Sequence, residues 1–285
     1  MPENGPETTA VDPAVIARGA NGRYLRSMDL DRLLHDLAAR LRERRRLVRL
    51  PSDRPVVFVG DTHGDREATE RVLARFAVPE HTIVFLGDVV DRGPDSSGNL
   101  RLVLSETIDH PDSVHLLMGN HEAWRVAPFT PADFWEGLSE RDLARLSDAL
   151  SALPLAAWHP AGVLAVHGAL PDVPSLQAID SIELGSEAWR AITWGDWAES
   201  RGGGLPTAGW GRPSFGRAAF EHRVDRLGAR ILVRSHQPFA PTLLFDDRCL
   251  TLFTSSAYGD GARRVAILRP GRRVDTARDL DLIEI

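Results

Sequence analysis

The sequence predicts a layered α/β fold, with central mixed sheets flanked by helices and the site at the carboxyl ends of the strands. Three observations carry this reading. Five short apolar runs each lead into a turn bearing Asp, Asn or His. The first three runs alternate with segments of helical period, a βαβαβ pattern that implies parallel strands joined by right-handed crossovers. Short β-prone runs without intervening helices follow at Thr242–Phe245, Leu250–Phe253 and Val265–Leu268, and these read as antiparallel additions.

Taken in order, Leu30, Leu33, Leu34, Leu37 and Leu41 fall at helical spacing, and the basic run Arg42–Arg46 suits the carbonyl end of that helix. Val56–Val59, three of its four residues β-branched, reads as a strand buried on both faces. Gly60 ends it, and Asp61 and His63 follow two residues apart, so their side chains can converge on one point. Oxygen and nitrogen donors together suit Mn, Fe or Zn better than a thiolate-selected metal. Arg66–Phe76 reads as a crossover helix whose buried side is Ala68, Val72, Leu73 and Phe76. The second apolar run, Thr82–Leu86, leads to Asp88, Asp91 and Arg92; a helix from about Ser96 to Thr107 follows. The third, Val114–Met118, leads to Asn120, His121 and Glu122.

Between His121 and His167 a helical stretch bearing Phe129, Phe134, Trp135, Leu143, Leu146 and Leu150 is expected to pack on the sheet flank or roof the site. Gly162–Val166 delivers His167, and Ile231–Val233 delivers Arg234 and His236. The intervening segment Glu199–Phe215, with glycines at 202, 203 and 204, reads as a mobile loop near the chemistry, since no Gly-Lys-Ser/Thr follows to make a phosphate loop.

Composition bounds the function. The chain of 285 residues is 43% hydrophobic and 26% charged, enough to bury a sizeable core. The expected organisation is a flexible tail over 1–20 and a single domain over 21–285 that opens with a helical extension. A net charge of −6 argues against bulk electrostatic binding to nucleic acid or to an anionic membrane. No apolar run approaches membrane-spanning length, and the first residues lack the basic and apolar regions of a signal peptide, so a cytoplasmic location is expected. The single cysteine, Cys249, excludes an internal disulfide and a Cys-based zinc site, and reads as a small apolar residue in a core strand.

The ordered motifs Gly60-Asp61-x-His63-Gly64, Gly87-Asp88-x-Val90-Asp91-Arg92-Gly93 and Gly119-Asn120-His121-Glu122 resemble those of the calcineurin-like metallophosphoesterases. Leu153–Ala157, His167–Leu170, Val233–Gln237 and Phe253–Tyr258 are similar to the phosphoprotein phosphatase branch, the serine/threonine phosphatases. The resemblance runs from Val56 to Leu268. It implies two divalent or trivalent metal ions: Asp61, His63 and Asp88 hold one, and Asp88, Asn120, His167 and His236 hold the other. It further implies direct attack on phosphorus by a water bridging the pair, with no covalent phosphoenzyme. His121 is then the general acid, with Asp91 orienting it and favouring its protonated form. Arg92, Arg212 from the glycine-rich segment and Tyr258 at the rim are the implied phosphate contacts, while Arg234 is expected to pair with a carboxylate near His236.

Departures from the family pattern concern recognition. Asp65 stands where many relatives carry an amide, Met118 where they carry Arg, and Ala169 where they carry Gly; the stretch 259–264 keeps little of an acidic, asparagine-bearing loop. The implied activity is hydrolysis of phosphoserine and phosphothreonine in proteins, and nothing in the sequence points to a regulatory subunit. A second reading is a small-molecule enzyme on the same metal centre, such as a dinucleoside tetraphosphate hydrolase, with Trp124, Arg125 and the glycine-rich loop as candidates for holding a nucleobase and a long phosphate chain. A third, of another class, is an inactive binding protein; the complete ligand set and His121 speak against it.

Overall fold

The computed structural model describes residues 30–41, 45–199, 211–259 and 263–285. The tail over 1–20, residues 42–44 of the basic run, the glycine-rich segment 200–210 and residues 260–262 lie outside the described residues. Helix α1 (Leu30–Leu41) buries Leu33, Leu34, Leu37 and Leu41, as its spacing requires, and packs on two later helices, α3 (Ser96–Asp109) and α5 (Glu140–Leu150). Strands β1 (Leu47–Arg49), β2 (Val56–Val59), β3 (Thr82–Phe85) and β4 (Val114–Leu116) interleave with α2 (Arg66–Arg75) and α3. The stretch after His121 resolves into the short α4 (Asp133–Glu136) and then α5. Next come β5 (Ala156–His159), β6 (Val163–Val166), a 3-10 turn at Leu176–Ser181, α6 (Glu187–Trp194), β7 (Asp196–Trp197), β8 (Ser214–Phe215) and α7 (Arg217–Arg226). The chain closes with β9 (Ile231–Arg234), β10 (Leu243–Leu244), β11 (Cys249–Thr251), β12 (Arg264–Leu268) and β13 (Asp281–Glu284).

Two mixed sheets face each other. One runs β13-β12-β2-β3-β4, with β2, β3 and β4 parallel; the other runs β1-β5-β6-β9-β11-β10. Alternation along the strands builds the layers. Phe58, Val84 and Leu86 join Ala165, Ile231, Val233 and Leu250 in the core between the sheets. Val57, Val59, Ile83 and Phe85 share the larger core with Leu37 of α1, Val72 of α2 and Val103 of α3. Outside the second sheet, Leu232 and Cys249 belong with Trp189 and Ile192 of α6 and Phe220 and Val224 of α7. The helices start where side-chain oxygens accept backbone N–H groups: Asp65 from Ala68, Asp95 from Gly98, Ser139 from Asp142 and Ser186 from Trp189.

One expectation needs correction. The run beginning at Leu250 is not wholly antiparallel: β11 pairs antiparallel with β10 but parallel with β9. The tight turn at Phe245–Asp247, all three residues in left-handed backbone, reverses the chain between β10 and β11. The segment from 235 to 242 therefore passes the end of β11, and β10 begins at the edge where β9 ends. Strands β1 and β13 also go beyond the sequence reading, because Leu47–Arg49 sits against the basic run and Asp281–Glu284 carries only weak alternation. Among the described residues no helix is long and apolar enough to cross a membrane.

Candidate metal centre and active site

All five site turns arrive at one place, the common carboxyl edge of the two sheets. An isolated parallel bridge between Asp61 and Phe253 stitches the sheets together there. The turns are tight and left-handed at His63 (φ 44°), Asp88 (φ 54°), Asp91 (φ 66°), Arg92 (φ 71°) and His236 (φ 72°). Each such non-glycine position costs about 1 kcal/mol or more, so the chain concentrates backbone strain where the chemistry-bearing residues lie. Gly119 allows two of these turns to close: a Cβ there would come within 2.2 Å of Asp88 Oδ1.

The geometry brings the sequence-predicted ligand residues together in two clusters that share Asp88. His63, Asp88 and His121 place one donor atom each within 4.8 Å of one another, as do Asp88, His167 and His236. Asp61 joins both, its oxygens lying 3.6 Å from His63 Nε2 and 3.6 Å from His167 Nδ1. Asn120 Oδ1 is 3.2 Å from His167 Nε2, which is also 3.0 Å from His236 Nδ1. Donor chemistry suits metal. His63 Nδ1 lies 2.9 Å from the Val90 carbonyl and His167 Nδ1 lies 3.0 Å from that of Leu86. A proton on each Nδ1 leaves the Nε2 lone pairs turned inward, the usual arrangement behind a metal-binding histidine. Burial pushes the Asp61 carboxyl up to about 7 and that of Asp88 up to about 8. Such a group of buried carboxylates ionises readily only when a cation shares the site.

Three residues support this floor, and the sequence reading assigned a role to none of them. The Glu122 carboxylate accepts the backbone N–H groups of Asp88 (2.7 Å), Val89 (2.9 Å) and Gly119 (2.9 Å), tying the second and third turns together. Burial raises its carboxyl to about 7. Ser235 accepts the Asp61 N–H at 2.8 Å and donates to the Leu252 carbonyl at 2.7 Å. Asn99, on α3, donates to Thr62 Oγ1 and to the Val89 carbonyl, both at 2.8 Å. Glu122 stands inside a recognised motif and was open to discovery; the other two act across long sequence separations.

His121 sits beside the shared aspartate, its Nε2 3.8 Å from Asp88 Oδ2, and its Nδ1 is 2.5 Å from Asp91 Oδ2. Asp91 is itself held by the Phe134 N–H at 2.8 Å, and burial raises its carboxyl to about 6. Burial, and after it the Arg92 charge, holds His121 well below its ordinary value. Desolvation thus outweighs the Asp133 charge, which raises it. Phe129 packs edge-on to His121, with centroids 4.6 Å apart, and Trp194 stands beyond it.

At the rim, Arg92 is exposed, with its backbone N–H on Asp133. Arg212 Nη2 donates to Asp196 Oδ1 at 2.7 Å and lies against His236 Nε2, which brings it to the second cluster. The Tyr258 ring meets the ring of His63 edge-on at 5.4 Å. Arg234 does not pair with a carboxylate. It is fully buried, donates to the Ser235 carbonyl and neighbours the Cys249 thiol, with Asp196 and Asp61 acting on it from farther away. Met118 accepts the Trp189 indole N–H at 3.3 Å, and the Ala169 methyl is admitted by Gly195, where a Cβ would stand 2.6 Å from it. Trp124 stacks on Trp135 and donates to the Phe129 carbonyl, and Arg125 lies 3.6 Å from Asp148.

Comparison with known proteins agrees with this geometry. The calcineurin-like phosphoesterase family matches residues 54–239. A probable serine/threonine-protein phosphatase of Encephalitozoon cuniculi is 30% identical over 237 residues, 76% of this chain and 50% of the relative, so the chain spans about half of that protein's length. A Saccharomyces cerevisiae protein serine/threonine phosphatase, described as similar to human PP5, superimposes with a TM-score of 0.76 at 24% identity. That match covers 90% of this chain and 89% of the yeast one. A cold-active protein-tyrosine phosphatase of a psychrophilic Shewanella shares the fold at a TM-score of 0.56 and 16% identity, over 86% of this chain and 84% of its own. Five strand-end turns converging on two histidine–aspartate clusters, within a matched span that holds every one of those turns, place this chain in the calcineurin-like phosphoesterase family.

Proposed function

We propose that this phosphoesterase hydrolyses phosphoserine and phosphothreonine in proteins. The observation that carries the reading is the pair of clusters sharing Asp88, with His121 beside them and tied through Nδ1 to Asp91 rather than turned wholly to metal. Asp61, His63 and Asp88 would hold one metal, and Asp88, Asn120, His167 and His236 the other, with Mn, Fe or Zn fitting this oxygen and nitrogen set. When bound, such a pair supplies an activated water and neutralises phosphoryl charge. Arg92 and Arg212 flank the clusters, and a guanidinium fork suits two phosphoryl oxygens. Asp196 holds Arg212 in place for this task. With Nδ1 committed to Asp91, His121 presents Nε2 to the leaving oxygen and gives it a proton. A bound phosphate dianion is the charge that would raise His121 from its depressed state, so protonation and substrate binding reinforce one another. Tyr258 closes the rim beside His63.

Support for a protein substrate comes from the names of the Encephalitozoon and yeast relatives. Of the candidates for the dinucleoside polyphosphate reading, Trp124 stacks on Trp135 and Arg125 lies by Asp148, while residues 200–210 of the glycine-rich loop lie outside the described residues. A buried, unpaired Cys249 supports a cytoplasmic setting. Parallel assays after loading with Mn²⁺ would test the proposal, using a phosphothreonine peptide and diadenosine tetraphosphate. Faster turnover of the peptide, abolished by a chelator, is the expected result. Preference for the dinucleotide, or inertness toward both with metal verified in place, would overturn it.

A further inference from the structure

Asp65 is the hub of a network that the chemistry above does not use. Its buried carboxylate takes five hydrogen bonds. The Ala68 N–H donates at 3.1 Å and caps α2. The Ser256 N–H and hydroxyl donate at 2.8 and 2.9 Å, and Arg263 Nε and Nη2 donate at 2.9 and 3.1 Å. Four of the five therefore come from the segment between β11 and β12, more than 190 residues along the chain. Arg263 reaches Glu67 and the Ser256 hydroxyl as well, at 3.4 and 3.3 Å. An amide at position 65 could cap the helix and accept from Ser256, but it would leave the Arg263 guanidinium only the longer contact to Glu67 as a charged partner. Arg263 belongs to the same stretch that departs from the family pattern, so Asp65 and Arg263 depart together.

Tyr258 lies between these two anchors. Its ring meets His63 at 5.4 Å and Phe253 at 5.4 Å, and the Arg92 charge acts on its hydroxyl. Tyr258 is 38% exposed, and its outer neighbour Phe239 is 83% exposed, so little packing from outside holds the ring in place. We propose that the Asp65–Arg263 pair is a positioning device that holds Tyr258 beside His63 at the rim of the metal clusters, so that substrate phosphate binding depends on a charge pair remote from the reacting atoms. The inference rests on the phosphoesterase reading of the site. Charge-assisted, bidentate contacts are the strong class of hydrogen bond, which suits them to fixing an otherwise exposed segment.

The test is a double-mutant cycle on the full chain with Mn²⁺, using p-nitrophenyl phosphate, with melting temperature and metal content measured alongside. Asp65→Asn is expected to raise KM roughly 5- to 30-fold while kcat changes less, a loss of binding rather than of chemistry. Arg263→Gln, which leaves the α2 cap intact, should reproduce the KM change and stands in if Asp65→Asn fails to fold. In a Tyr258→Phe background either substitution should cost little more in KM, while the fall in melting temperature stays the same in both backgrounds. Hydrogen exchange in the 255–259 segment should accelerate in Asp65→Asn, because the Ser256 N–H loses its charged acceptor. Fully additive KM losses, or an unchanged KM, would overturn the positioning role, and unchanged exchange would overturn the anchor itself. A wild-type chain inert toward p-nitrophenyl phosphate would break the phosphatase reading instead, and the exchange measurement would still decide the anchor.

Discussion

The floor of the site and its rim are held by different forces. Asp61, His63, Asp88, Asn120, His167 and His236 are each at most 5% exposed. They sit at strand ends whose backbones are bonded to one another, as where His63 N donates to Asp88 O and Ser235 N to His167 O. The rim is the reverse case. Tyr258 and Arg92 are exposed, and Arg212 is placed by a side-chain contact to Asp196. The lesson is that metal-site geometry is a property of the sheets, whereas substrate contact is a property of a few long side chains and their partners. Floor substitutions should therefore change metal content and stability, and rim substitutions should change KM alone.

The largest effect should come from the shared carboxylate. Asp88→Asn is expected to abolish turnover and to empty the metal pair, because a neutral amide bridges two cations poorly; elemental analysis showing both metals retained would break the floor side of the comparison. His121→Asn comes next. It should keep the metals yet slow alkyl phosphate turnover by roughly 10²–10⁴-fold, with a smaller loss on an aryl phosphate whose leaving group needs less help. Asp91→Asn should act in the same direction and more mildly. Equal losses on the two substrates, with chemistry rate-limiting, would recast His121 as a positioning donor.

A pH experiment sharpens the floor's dependence on cations. Burial raises Asp61, Asp88 and Glu122 to about 7, about 8 and about 7. Their unfolded counterparts titrate near 4. The folded, metal-free chain thus keeps protons that the unfolded chain releases. The resulting stability is fully present below about pH 4 and is lost as pH rises through those folded values. Burial holds His63, His121, His167 and His236 below their ordinary values, which gives the opposite slope at lower pH. Metal-free protein should therefore melt at progressively lower temperature from about pH 7 to 8, where those histidines are largely neutral in both states, and Mn²⁺ should flatten that slope; a metal-free melting curve that rises with pH over that window would contradict it. Glu122→Gln should then cost roughly 1–3 kcal/mol of stability, since one amide oxygen replaces an acceptor pair serving three N–H groups. Urea unfolding would measure it. The smallest effect is expected at the rim: Arg212→Ala should raise KM about tenfold, as for one lost charged hydrogen bond, with melting unchanged. A fall in metal content instead would show that Arg212 belongs to the floor through His236.

Much of the floor was legible before the fold. Each proposed ligand follows an apolar run that reads as a buried strand, and strand ends in α/β sheets are where loops converge. Local pattern placed α1, α2 and α3 within two residues, because their buried faces recur at helical spacing and Asp65 and Asp95 cap them. Other features escaped for a common reason. That the first three site strands, β2, β3 and β4, and the last two, β6 and β9, lie in separate sheets, that β11 runs parallel to β9, and that Arg234 is buried beside Cys249 all depend on the path of connections rather than on periodicity.

The sequence by itself determined which residues could carry the chemistry, in what order, and on which end of which strand. Strand propensity and side-chain alternation are local, acting over four or five residues. Only the tertiary structure decided which side chains meet across the gap: Asp65 with Arg263, Arg212 with Asp196, Glu122 with the Asp88 turn. Such contacts join positions far apart in the chain, and their partners are chosen by the packing of two sheets against each other, for which no short stretch of residues carries a signal.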